Sequence, residues 1–352
     1  MQWVIKVSKL CNLRCSYCYE YESLADPARI KVSELISLFQ MIALQSGDQD
    51  KYEFIWHGGE PLILGSAFFT EIAQIQNRVF TSKKIRYSNH IQTNLYNLSH
   101  DALKIIKNRE FFPAIGISLD PVTSNRVDVN KKITTQRVLQ NIKYLDEHEI
   151  TYSFITVLSK DTLERVEELY IFFKTLKRSV RILPVYKKSN DAQIELYGVS
   201  TQEVFEGFAK VLMLWIGDGM PVKIEPLDSI LAIFARHKAG VCETRYPNKS
   251  RKRGVLVDTN GSMYRFSDGY DSSKMIGHLS EIELQLENIE VDEEGVGRVA
   301  SFCTDCEFLG PCDGMFMVEA SEVQLSKASA TDHPCVARKL LGLMQEMTDF
   351  RG

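Results

Sequence analysis

The feature that most constrains the fold is an alternation of short β-prone runs with amphipathic stretches through the first half of the chain. "WVIKV" (3–7) precedes "VSELISLFQMIAL" (32–44), and "YEFIW" (52–56) precedes "AFFTEIAQIQNRVF" (67–80). "IRYSNHIQT" (85–93) is followed by "DALKIIKN" (101–108), and "AIGISL" (114–119) by "TTQRVLQNIKYLDEH" (134–148). "TYSFITVL" (151–158) and "TLERVEELYIFFKTL" (162–176) come next, and "VRILPV" (180–185) closes the series. The short runs, rich in β-branched and aromatic residues, read as strands, and the longer periodic stretches read as helices. Repeated β/α units predict a parallel sheet, here an α/β fold curved into an open, partial (β/α)6 TIM-like barrel. Loops at the strand C-terminal ends then converge on one mouth.

At 352 residues the chain exceeds what one core commonly supports. A helix over 201–216 leads away from the barrel, and the texture then changes. A hairpin is expected over "GVLVDTNGSMYRF" (254–266), turning at Asn260-Gly261, and cysteines return at 242, 303, 306, 312 and 335. The sequence therefore divides into a barrel at 1–220 and a cysteine-rich extension, with its linker helix, at 221–352.

Composition removes several function classes. A net charge of −4 does not suit a nucleic-acid binder, and the one basic run, Lys249 to Arg253, reads as a solvated loop. No apolar run approaches the roughly 18 residues of a membrane helix, and the N-terminus does not read as a signal peptide. No nucleic acid and no membrane are expected as partners, and the expected compartment is cytoplasmic. Eight cysteines without an export signal favour metal or redox chemistry over disulfides.

"KLCNLRCSYCYEY" (9–21) places Cys11, Cys15 and Cys18 directly after the first strand. Zinc normally recruits a fourth protein ligand, and cubane clusters are usually held by four thiolates. No fourth cysteine or histidine lies nearby, so a cubane with one iron open to a ligand explains the deficit. Cys303, Cys306 and Cys312, spaced C-x2-C-x5-C, form a complete four-thiol set with Cys335, for which zinc and iron–sulfur are both possible.

C-x3-C-x-aromatic-C after a first strand resembles the signature of radical S-adenosylmethionine (SAM) enzymes. "WHGGEPLIL" (56–64), "IQTNL" (91–95) and "ISLDP" (117–121) resemble further motifs of that family in the same order. Leu95 and Pro121 depart from it, since the family has glycine there. The resemblance implies a [4Fe–4S] cluster on Cys11, Cys15 and Cys18, with the SAM amino group and carboxylate at the fourth corner. It places Tyr17 near the adenine, and Gly58, Gly59, Glu60 and Pro61 around the methionine amino group. Asn94 is expected among the SAM contacts, and Ser118 and Asp120 face the ribose or carboxylate.

The C-terminal cysteines resemble the SPASM extension of peptide-modifying (RiPP) maturases, which usually holds two auxiliary [4Fe–4S] clusters. This chain has Phe266 and Phe316 where two ligands of the first auxiliary cluster belong, so the resemblance implies one auxiliary cluster, on Cys303, Cys306, Cys312 and Cys335. The implied activity is a peptide maturase forming an oxidative side-chain cross-link, with the auxiliary cluster taking up an electron. Peptide epimerisation with Cys242 as hydrogen donor, a small-molecule radical SAM dehydrogenase, and a non-catalytic metal-binding module are the alternatives. Sulfatase-maturing enzymes share the architecture but carry an aspartate where this chain has Ser267, which ranks that reading lower. Expected partners are a peptide or protein substrate, a reductant such as flavodoxin or ferredoxin, and a separate leader-binding protein, because the first strand already begins at residue 3. Asp268, Asp120 and His57 lie near the expected mouth, and no one of them stands out as a general base.

Overall fold

The structure, a computed structural model, describes residues 1–47, 50–185, 192–241, 254–265, 275–281, 293–318 and 333–349. Six strands form as the alternation predicts: β1 (Gln2–Ser8), β2 (Lys51–Gly58), β3 (Arg86–Thr93), β4 (Ile115–Ser118), β5 (Tyr152–Leu158) and β6 (Val180–Pro184). They lie side by side in chain order, each parallel to the next. Between them run α1 (Val32–Gln45), α2 (Gly65–Ser82), α3 (His100–Ile106), α4 (Thr135–Glu147), α5 (Lys160–Glu164) and α6 (Val166–Leu176).

One expected helix is broken. The stretch 162–176 divides at Arg165, whose backbone leaves the helical region at φ −121° and ψ 26°. Its guanidinium donates to the Val122 carbonyl and pairs with Glu168, tying the break to the loop after β4.

Both faces of β1 are covered, as befits a parallel strand inside an α/β layer. Trp3, Ile5 and Val7 belong to the main core with Leu35, Leu38, Phe39 and Ile42 of α1. Beneath them Phe39, Phe54 and Phe80 form a triangle of rings, with centroids 5.6, 5.5 and 5.8 Å apart. The opposite face of the sheet carries a small apolar group, Val4, Leu256 and Tyr264 with Ile55. By strand alternation Lys6 and His57, which are register partners, share that inner face.

The C-terminal segment extends this same sheet. β7 (Ile224–Glu225) pairs with β6, while β8 (Gly254–Val257) lies parallel to β1 at the other side. β9 (Ser262–Arg265) and β10 (Met275–His278) add antiparallel, giving the order β10-β9-β8-β1-β2-β3-β4-β5-β6-β7 among the described residues. Among the described residues the terminal strands β10 and β7 do not pair, which leaves the sheet open. Helix Val336–Asp349 packs on α7 (Thr201–Gly217) and α8 (Leu227–Lys238), and its Leu340, Leu341 and Met344 join the barrel's core. No helix among the described residues is long and apolar enough to cross a membrane.

Phe54→Ala removes the middle of the ring triangle from a fully buried position. It should lower unfolding free energy by about 3–5 kcal/mol, measurable as a shift of the denaturant midpoint with an unchanged slope.

Candidate active site

β1 ends at Ser8, and the loop that follows passes directly over the end of β2. Gly58 has φ +124°, and a Cβ there would lie 2.3 Å from the Ser8 carbonyl oxygen. On Gly59 a Cβ would meet the Lys9 and Leu10 carbonyl oxygens, each at 2.4 Å. The Gly59 N–H donates to Ser8 O at 2.7 Å and the Glu60 N–H to Leu10 O at 3.0 Å. The glycine pair, which the resemblance places around the methionine amino group, is required here by the backbone of the cysteine loop. On its far side the loop is clamped to the segment after β4. The Arg14 N–H donates to Val127 O at 2.7 Å and the Ser16 N–H to Asn125 O at 2.9 Å.

This double attachment gathers Cys11, Cys15 and Cys18, all three free thiols, into one small group with Leu13 and Tyr17. Burial pushes the Cys11 thiol up to about 12 and Cys18 to about 11, and it raises Cys15 as well. Hydrogen-bond donors nevertheless point at the sulfurs. The Leu13 N–H lies 3.4 Å from Cys11 Sγ, and Asn94 Nδ2 lies 3.8 Å from it. Arg126 Nη1 lies 3.9 Å from Cys15 Sγ. Buried thiols held protonated by the apolar surroundings, yet provided with donors for the thiolate form, fit a cationic inorganic group that supplies the missing charge.

Glu60 is buried at 2% exposure and caps the short turn that Pro61 begins. Its Oε1 accepts from the Leu62 N–H at 3.1 Å and the Thr93 hydroxyl at 2.8 Å, and its Oε2 accepts from the Asn94 N–H at 2.8 Å. Burial raises its pKa despite these donors. A carboxylate offers about four acceptor positions, so one on Oε2 is left for a cationic or N–H group. Asn94 Nδ2 donates to Asn12 Oδ1 at 2.8 Å, and its Oδ1 accepts from the Tyr96 N–H at 2.9 Å. Leu95 sits fully buried at φ +52°, a left-handed conformation that favours glycine. Asn141 Nδ2 holds that turn by donating to Leu95 O at 2.8 Å.

Asp120 is filled. Its Oδ2 takes the Tyr17 hydroxyl and Arg126 Nε, the latter at 2.8 Å. Its Oδ1 takes the Thr156 hydroxyl at 3.1 Å and the Val157 N–H at 2.9 Å. With all four positions occupied, Asp120 organises the site and has no capacity to take a further proton donor. Tyr17, whose pKa burial raises, is fixed through this contact, and its ring lies 5.8 Å from the Arg126 guanidinium carbon. Ser118 accepts from Gln92 Nε2 at 2.8 Å. Arg126 was not legible as a site residue: nothing in "RVDVN" marks it, and only the return of the loop after β4 carries it to Cys15. Burial opposes its charge, but Asp120, Tyr17 and Cys15 outweigh that cost and keep the guanidinium protonated.

On the inner face Lys6, at 1% exposure, is paired with Glu20 of the cysteine loop. Burial lowers its pKa, with Glu20 opposing. Burial and the Lys6 charge lower His57 to about 4, so its ring is neutral near neutral pH. Its Nδ1 accepts from the Gly58 N–H at 2.7 Å, which leaves the ring proton on Nε2.

Cys303, Cys306, Cys312 and Cys335 line one apolar cavity with Phe302, Phe308 and Phe316. Phe316, one of the two phenylalanines that stand where cluster ligands were expected, lines this cavity beside the four thiols. Burial pushes Cys303 and Cys312 up to about 12 and Cys335 to about 11. Among the described residues no three His, Cys, Asp or Glu side chains converge as a single bound metal ion requires, whereas these four thiols share a cavity. Cys242, Phe266, Ser267, Asp268 and the run Lys249 to Arg253 lie outside the described residues.

The profile of the radical SAM superfamily matches residues 5–173. The "Cysteine-type anaerobic sulfatase-maturating enzyme" of Clostridium novyi is 26% identical over 287 residues, spanning 78% of this chain and 75% of that one. The "Serine-type anaerobic sulfatase-maturating enzyme" of Bacteroides thetaiotaomicron is 22% identical over 338 residues, spanning 88% and 80%. Among solved structures, native anSMEcpe with bound AdoMet superposes with a TM-score of 0.70 at 19% identity, covering 97% of this chain and 95% of that one. Streptococcus suis SuiB bound to S-adenosylmethionine gives 0.58 at 17% identity, covering 95% and 76%. Both structural likenesses concern the fold.

Two outcomes test the cysteine loop. Gly59→Ala should cut the iron taken up by anaerobic reconstitution while leaving the far-ultraviolet circular dichroism unchanged. In the metal-free protein, alkylation of Cys11 and Cys18 should accelerate about tenfold per pH unit over roughly pH 8 to 10, because the thiolate fraction grows with pH below the raised pKa values. Peptide mapping after iodoacetamide would read this, and a rate levelling off near pH 8 would contradict it.

Proposed function

We infer that this chain is a radical SAM enzyme and that it oxidises a cysteine or serine side chain of a peptide substrate, as the names of its sulfatase-maturating relatives suggest. The observation that carries this reading is the second cysteine set, four thiols around one apolar cavity in a segment that extends the barrel's own sheet. Oxidising an alcohol or thiol to a carbonyl-level product removes two hydrogens, as one hydrogen atom, one proton and one electron. The last of these needs an acceptor, and Cys303, Cys306, Cys312 and Cys335 fit an auxiliary [4Fe–4S] cluster.

Cys11, Cys15 and Cys18 would hold a [4Fe–4S] cluster that, with SAM, would supply the radical chemistry for taking up the hydrogen atom. This chain's residues hold and orient that group. The remaining acceptor position of Glu60 suits the SAM ammonium. Arg126, whose guanidinium is not filled by Asp120 and Cys15, suits a carboxylate. Gly58 and Gly59 keep the loop seated, and Pro61 sets the turn that aims Glu60. Asn94 ties Glu60 to the loop at Asn12 and Cys11. Tyr17 offers its ring with the hydroxyl anchored on Asp120, and Ser118 shapes the wall beside Gln92. His57, neutral with its proton on Nε2, serves as a hydrogen-bond donor toward substrate rather than as a base.

This order of readings differs from the sequence-based one, which put an oxidative cross-link first and sulfatase-type maturation lower. The relatives that span most of this chain are sulfatase-maturating enzymes, and that reverses the ranking. Epimerisation rests on Cys242, which lies outside the described residues.

The deciding experiment is anaerobic incubation of the reconstituted enzyme, with SAM and reductant, on peptides carrying one cysteine or one serine in a sulfatase-like context. A carbonyl captured by a hydrazide probe, with loss of two hydrogens from the serine peptide, is expected. A product that lacks two hydrogens but resists hydrazide, with two side chains joined on fragmentation, would establish the cross-link instead.

A further inference from the structure

Four polar side chains form a row across the inner face of the sheet, just below the cysteine loop. Lys6 of β1 is the register partner of His57 of β2. Carried one residue past the paired positions, the same registers set Asp258, at the end of β8, beside Lys6, and Gln92 of β3 beside His57. Glu20 of the cysteine loop reaches down to Lys6, which fixes the row beneath that loop. At the β4 side Gln92 Nε2 donates to Ser118 at 2.8 Å, and Gly116 leaves room for the amide: a Cβ there would lie 2.0 Å from Gln92 Oε1.

The members of this row differ in spare capacity. Burial lowers the Lys6 pKa, while Glu20 and Asp258 act against it. Glu20 is held by Lys6 and by the Ser23 hydroxyl at 2.7 Å. His57 accepts the Gly58 N–H at Nδ1 and carries its own proton on Nε2, so its ring has no lone pair to offer. Lower on the same face, Glu53 is taken by Gln2 at 2.9 Å and His90 at 3.1 Å. Asp258 is half-buried, and its printed donors are those of Thr259, the N–H at 2.7 Å and the hydroxyl at 3.4 Å, both at Oδ1. Among the described residues no donor reaches its Oδ2. Asp258 is thus the acidic residue of this row with a whole carboxylate oxygen open.

We propose that Asp258 is the proton acceptor of the side-chain oxidation. The proposal rests on the peptide-oxidation reading, which requires one proton to leave the substrate. A hydrogen atom leaves the side-chain carbon for the radical chemistry of the first cysteine set. The O–H or S–H bond on that carbon then breaks, and its proton passes to Asp258 Oδ2. The carbon–oxygen or carbon–sulfur bond becomes double, and the remaining electron goes to the one-electron acceptor at Cys303, Cys306, Cys312 and Cys335. Asp258, now a carboxylic acid, returns its proton to water. A carboxylate is base enough, because a carbon that has lost its hydrogen atom makes the attached O–H or S–H more acidic.

The first test needs no variant and no cluster. In the metal-free protein, carbodiimide coupling of glycinamide to Asp258, read by peptide mapping, should be lost when the serine peptide is present at saturation. In the reconstituted enzyme, Asp258→Asn should cut the hydrazide-reactive product by on the order of 100-fold. Deuterium on the side-chain carbon should still move into the nucleoside released from SAM, and fluorescence anisotropy should show the parent affinity for the peptide. That split separates a lost proton acceptor from a lost fold, and Asp258→Glu should recover part of the product. If Asp258→Asn does not fold, the labelling of the parent and the yield of Asp258→Glu decide. Full product from Asp258→Asn would overturn the proposal, and so would coupling at Asp258 that the peptide does not slow. A parent enzyme that moves no deuterium and forms no carbonyl fails the oxidation reading itself, a result distinct from protection at Asp258.

Discussion

The close passage of Ser8–Leu10 over Gly58 and Gly59 is the contact on which the rest of the site depends. Two carbonyl oxygens stand 2.4 Å from where a side chain on Gly59 would begin, and the Gly59 and Glu60 N–H groups bond back to that same strand of loop. A loop held this tightly at one end still needs a second anchor to present three thiols together. The segment after β4 provides it through Val127 and Asn125. Between the two anchors the chain has little conformational freedom left to lose when a ligand binds, which is what preorganisation means in energetic terms.

Two buried carboxylates divide the work. Asp120, saturated by Tyr17, Arg126, Thr156 and Val157, locks the side of the site next to Cys15. Glu60 has three donors and one position left, and burial raises its pKa, so a cation brought to it is favoured by the same desolvation that disfavours it alone. The contrast could not be inferred from residue type. Both are acidic residues at strand ends, and their difference is the number of donors the fold directs at each.

The C-terminal segment matters for the same structural reason. β8 lies parallel to β1, the strand that launches the cysteine loop, and helix Val336–Asp349 packs on α7 and α8. The four-thiol cavity is therefore built on the barrel's own sheet and core, where an electron acceptor would be held rigidly relative to the mouth. Phe316 lines that cavity beside the thiols and adds apolar bulk to it.

The sequence by itself determined the alternating β/α order, the parallel sheet, the cysteine sets and the motif loops at the strand ends. These depend on local periodicity and spacing, which survive in one dimension. Leu95 shows the limit: the absent glycine was visible, but not that Asn141 would hold a leucine in a left-handed turn. Arg126, the filled state of Asp120 and the open position on Glu60 were decided only by the tertiary structure. Each is set by donors or charges from segments remote in the chain, such as Tyr17 meeting Asp120 or Thr93 meeting Glu60. Side-chain capacity at a buried site is a sum over such neighbours, and chain order does not encode that sum.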